Sequence, residues 1–134
     1  MKIWDTGPFD NDAAKDFVEE VMQDGDYALG EAFDVVLDAD MDFIEAEEGC
    51  RVVAAAEILS AVLAGDTSRI TDAGLRVWVQ QADPQAVEPL RTSARNALQR
   101  VLGPGSELPD LWDEPGDATA WSAGVQQLRQ RFPA

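Results

Sequence analysis

At 134 residues, with 46% hydrophobic side chains, the chain is long enough for one domain to bury about two-thirds of its unfolded surface, which argues against wholesale disorder. A formal net charge of −16, from 26 acidic and 10 basic residues, excludes nucleic acid and anionic membrane as natural partners, because both demand Lys and Arg against phosphate. One cysteine and no histidine exclude an internal disulfide and every Ser-His or Cys-His nucleophile pair.

The opening, WDTGPFDND at residues 4–12, combines two aromatics with a Thr6-Gly7-Pro8 turn and an Asn-Asp pair. Thr6 has no His, Lys or terminal amine to activate it, so the stretch reads as a lid rather than a reactive loop. The turn reverses the chain, Trp4 and Phe9 are expected to point inward, and Asn11 or Asp12 caps the next helix.

In that helix Ala13, Ala14, Phe17, Val18, Val21 and Met22 follow the i, i+3, i+4 spacing, and Gly25 stops it. A second helix over residues 26–39 aligns Leu29, Ala32, Phe33, Val36 and Leu37 on one face and carries Asp elsewhere. Residues 50–64, CRVVAAAEILSAVLA, are apolar around the whole wheel apart from Arg51, Glu57 and Ser60, so this helix belongs in the middle of the fold and ends at Gly65. Cys50, at its start, reads as a small buried hydrophobe.

TDAGLRVWVQQ, residues 71–81, has strand-like composition in LRVWV, yet Leu75, Trp78, Val79 and Ala82 fit a helical face, and helix is the choice. Asp83 caps Pro84, and an apolar stripe from Val87 through Leu90, Ala94, Leu98 and Val101 runs to Gly103. Pro89 inside that stripe divides off a separate first turn. SELPDLWDEPGD, residues 106–117, gives one short helical turn, and Trp121, Val125, Leu128 and Phe132 mark a last helix from Asp117. The expectation is an all-α single compact domain of about six helices over residues 1–134, built around the helix at 50–64. The tryptophans, Trp4, Trp78, Trp112 and Trp121, read as packing anchors rather than a ligand cleft.

The charge is uneven. Residues 1–50 hold 16 acidic and 2 basic side chains, a net of −14, whereas residues 51–134 hold 10 and 8, a net of −2. DADMDFIEAEEG at 38–49 spaces its first three acids like a calcium loop, but Phe43 replaces the glycine at position six and Gly49 the carboxylate at position twelve, so no metal is assigned. No glycine loop of phosphate-binding spacing occurs and no cofactor is expected.

These features point to a non-enzymatic domain that binds a basic protein through Asp34, Asp38, Asp40, Asp42, Glu45, Glu47 and Glu48. A specific form is an inhibitor or immunity-type protein covering a basic toxin or nuclease. The alternatives are a small-ligand or metal-binding domain and an enzyme working with carboxylates alone. No apolar run reaches about eighteen residues and MKIWDTG lacks an apolar signal region, so a cytoplasmic protein is expected.

The opening also resembles a bacterial family, domain of unknown function number 4259, through Trp4, Thr6, Gly7, Phe9, Asn11 and Asp12. SELPDLWDE at 106–114, with its Trp112, followed by Trp121, is similar to the family's second signature, and the resemblance spans nearly the whole chain. Members commonly carry Gly where this chain has Asp5. The resemblance implies a small helical domain and no catalytic or binding residues. Physically, the two signatures suggest that Trp4 and Phe9 pack near Trp112 and Trp121 and close the domain end to end.

Overall fold

The computed structural model describes residues 2–133. Helix α1, Asp12–Asp24, starts where Asn11 Oδ1 accepts the Ala14 N–H at 2.8 Å, satisfying a donor that the first turn leaves free. Gly25, at φ 73°, ends α1 and starts α2, Asp26–Leu37, without a linker. Only glycine enters that left-handed region freely, so a single residue turns the chain between two helices.

The central helix α3, Ala46–Ala64, buries fourteen of its nineteen residues and packs against each of the other six helices. Its all-round apolar wheel demanded such a position, and the run Ala54-Ala55-Ala56 presents little bulk to the approaching helices. It begins one turn before residue 50 because Glu45 takes the N-cap backbone position, which leaves Glu47 and Glu48 in the first turn, the favourable end of the helix dipole.

Helix α4, Ala73–Gln81, resolves the ambiguous LRVWV in favour of helix. Leu75 and Val79, four residues apart, are buried while Val77 between them is exposed; a strand would bury all three. Pro84–Val87 forms a four-residue turn, α5, and a 3-10 turn at Glu88–Leu90 carries Pro89 into α6, Arg91–Leu102. A 3-10 turn at Leu108–Leu111 precedes α7, Pro115–Gln130, which starts two residues before Asp117 because Pro is preorganised for the first helical position.

The result is all-α: six helices of nine residues or more plus the short α5, with no strand among the described residues. Helices α2 and α6 pack on each other and on α3, α1 flanks α3 on another side, and α7 closes over α3 and α6. The connection from α2 to α3 is fastened to the segment after α6. Ile44 N–H donates to Gly105 O at 2.8 Å, Glu107 N–H to Ile44 O at 2.9 Å, and Arg100 Nη2 to Met41 O at 2.8 Å.

The N-terminal segment folds as a tight reversal. Ile3 pairs with Asn11 in an isolated antiparallel bridge, and Trp4 N–H donates to Asp10 O at 3.0 Å. Gly7 N–H donates to Asp10 Oδ2 at 3.0 Å, and a Cβ at residue 7 would lie 2.4 Å from that oxygen, so any side chain there would displace the Asp10 carboxylate from this bond. Asp5 needs no glycine: no non-glycine residue among those described has a positive φ.

Trp4 does not point inward, as its place beside the turn had suggested. The reversal does not bury Trp4, which is 49% exposed. Neighbouring side chains on extended backbone point to opposite sides, so Ile3 faces the core and Trp4 faces out. Trp4 and Phe9 line a groove with Met22, Ile70 and Leu75 at α1 and α4, away from Trp112 and Trp121. The lid does meet the tryptophan pair, through Ile3, Thr6, Gly7 and Pro8.

Candidate functional site

Trp112 and Trp121 stack with ring centroids 6.3 Å apart and planes tilted by 32°. Trp121 is buried and Trp112 half-buried. Both serve the joint between the chain's two ends, and burial of such rings is among the larger packing contributions. Next to them Cys50 is buried, and its thiol is pushed up to about 12, first by burial and then by the Glu47 carboxylate. A thiol of that acidity stays protonated at neutral pH, so Cys50 has no nucleophilic character.

The seven acids singled out by the sequence divide into three groups. Glu47 and the half-buried Glu48 complement the α3 dipole, and Glu45 occupies its N-cap position. Asp40 and Asp42 are exposed on the α2–α3 connection, where Asp38 Oδ1 accepts the Asp40 N–H at 2.9 Å and sets the turn. Among the described residues no group of three or more Asp, Glu or Cys is disposed to hold a metal ion.

Asp34 and Asp38 stand apart from these, on the outer face of α2. That face also carries Asp26, Tyr27, Glu31 and Val35, at the i, i+4, i+7 spacing that groups side chains on one side of a helix. Against Pro89 and Leu90 they line a shallow groove of about 670 Å³ in which no lining residue is basic. Tyr27, 71% exposed, and Val35 supply apolar surface inside the acidic rim. Sequence reasoning missed Asp26, Tyr27, Glu31 and Val35 because it followed the buried face of the helix. The signal was present on the opposite face of the same wheel.

Asp34 and Asp38 also sit at an electrostatically unfavourable end. The C-terminus of a helix carries partial negative charge and favours cations. Asp34 lies in the last turn of α2 and Asp38 forms its C-cap, with no base in that turn. Asp38 is offset by the turn bond it accepts from the Asp40 N–H, whereas nothing in the helix electrostatics favours an acid at Asp34.

No helix among the described residues is long and apolar enough to cross a membrane. No curated protein and no solved structure matches the chain significantly. The family model described as Domain of unknown function (DUF4259) matches residues 3–124, nearly the whole chain, and the protein belongs to that family.

Proposed function

We propose that this domain is a non-enzymatic protein-binding module of the cytoplasm whose α2 groove receives a basic, amphipathic segment of another protein. The observation that carries the reading is the outer face of α2, where Asp26, Glu31, Asp34 and Asp38 surround Tyr27 and Val35 beside Pro89 and Leu90. Lys and Arg of a partner would meet the carboxylates, and its apolar side chains would lie on the tyrosine and valine. Like charges clustered on one face repel one another, and a cationic partner relieves that repulsion. Asp40 and Asp42 extend the same negative field toward α3, so association would be fast and strongly dependent on salt. An inhibitor of a basic toxin or nuclease is the specific form that such a surface suits.

The test compares two triple reversals that change the net charge equally. Glu31→Lys, Asp34→Lys and Asp38→Lys together should abolish retention of a partner that the unaltered domain captures at low salt and releases as salt rises. Asp113→Lys, Glu114→Lys and Asp117→Lys, three exposed acids near the start of α7, should leave capture largely intact. Equal loss in both variants would reduce the interaction to net charge, and retention in the first would defeat the α2 assignment.

A further inference from the structure

A second concave region lies between α3 and α7, and its charge is opposite to that of the rest of the molecule. The cleft is about 330 Å³, roofed by Thr6, Gly7 and Pro8 and floored by Trp121 and Leu128. In a chain of net charge −16, its charged groups are two arginines, Arg69 and Arg131, against one carboxylate, Glu57. Among the lining residues the balance is one positive charge, with the Asp66 carboxylate acting on Arg69 from outside the lining.

The arrangement of these groups leaves donor capacity for a guest. Glu57 is only 5% exposed, and both of its oxygens accept from the single nitrogen Nη1 of Arg131, at 3.2 and 3.4 Å, rather than from a two-nitrogen fork. Arg69 is exposed, and among the described residues its guanidinium makes no ion pair. Guanidinium groups present planar N–H donors suited to carboxylate recognition.

Gly124 supplies an independent observation. It sits inside the sixteen-residue α7, where glycine costs about 1 kcal/mol relative to alanine. Nothing lies within 4 Å of the position its Cβ would occupy, so no close packing requires it. Gly124 is exposed on α7 and lines the cleft near Trp121, so a side chain at this position would narrow the opening. Apolar walls with a few convergent polar groups characterise small-molecule sites of this size.

We propose that the α3–α7 cleft binds a small organic monocarboxylate, its carboxylate held by Arg69 and Arg131 and its apolar body lying over Gly124 beside the buried edge of Trp121. Glu57 orients Arg131 and repels a second negative charge, which selects a monoanion over a phosphate dianion. This site is separate from the α2 groove, on other helices, and stands or falls independently of it.

Phenylacetate is the probe, followed through the Trp121 indole N–H and the Gly124 amide by heteronuclear NMR. Saturable shifts at both positions are expected with phenylacetate, none with phenethylamine, and weaker ones with inorganic phosphate. Arg69→Gln should weaken phenylacetate binding about tenfold, the loss of one charge-assisted contact. Gly124→Leu, which fills the cleft with a better helix former, should abolish the shift at Trp121 while the remaining amide spectrum stays native. Absence of saturable shifts in the unaltered protein, undiminished binding in Gly124→Leu, or phosphate binding at least as tight as phenylacetate would each overturn the assignment.

Discussion

Glu107 Oε1 accepts a hydrogen bond from the Ala46 N–H at 2.8 Å, across 61 positions of sequence. A residue of the segment after α6 thereby caps the central helix α3, whose own N-cap residue, Glu45, makes no side-chain cap. The bond couples helix initiation to tertiary assembly, since a free first-turn N–H finds its partner only after the chain has folded around it.

Replacing Glu107 with Ala should therefore cost about 1 kcal/mol, the usual loss for a cap. Glu107→Gln keeps an acceptor and should recover most of that loss, giving up only the dipole contribution. Urea unfolding of the two variants checks this, and equal loss in both would assign the effect to charge rather than to the hydrogen bond.

Trp4 and Trp121 should respond very differently to truncation. Trp121 is buried against Trp112, so Trp121→Ala should cost about 3–5 kcal/mol through lost burial and the cavity left behind. Trp4 is half exposed, and Trp4→Ala should cost less than about 1 kcal/mol. Thermal unfolding measures both, and comparable losses would restore Trp4 to the core.

The α2 acids should be stabilising to reverse. Asp34→Lys places a cation at the negative end of the helix and lowers the density of like charge, for a gain of about 0.3–1 kcal/mol at low salt, whereas Asp38→Lys also gives up the Oδ1 bond to the Asp40 N–H and should gain less. The gain should shrink as salt is added. Equilibrium unfolding of variants that have lost partner capture would then separate binding from folding, and destabilisation would show that these acids support the fold.

Glu57 makes stability depend on pH. Burial pushes its carboxyl above the ordinary value, with Arg69 offsetting only part of the rise. The folded protein then holds this proton to higher pH than the unfolded chain does. Stability from this group is greatest below the ordinary glutamate range and falls as pH rises through the raised value. Glu57→Gln still accepts from Arg131 but cannot ionise, so its urea midpoint should decline less steeply between pH 4 and pH 8 than that of the unaltered protein. Parallel declines would remove Glu57 as the source.

Cys50 should be inert in the native state. With the thiol at about 12 and the side chain buried, alkylation by iodoacetamide at mildly alkaline pH should proceed only through unfolding, at a rate that rises with denaturant. Rapid labelling of the folded protein would contradict its burial.

The helices themselves were legible in the sequence, because their signals are local. Asn11, Asp72 and Asp83 each accept a backbone N–H two or three residues ahead, a contact set by neighbouring residues alone. Gly25 and Gly65 end their helices for an equally local reason, positive φ. The all-round apolar wheel of residues 50–64 likewise sufficed to place that helix at the centre. Tertiary structure decided what no local pattern encodes: Trp4 facing outward, Glu107 capping Ala46, and Glu57 meeting Arg131 at a separation of 74 residues. These contacts join segments that meet only when α6 and α7 pack back onto α3. The sequence names the groups available for such contacts, but their distances and burial arise from how the helices cross.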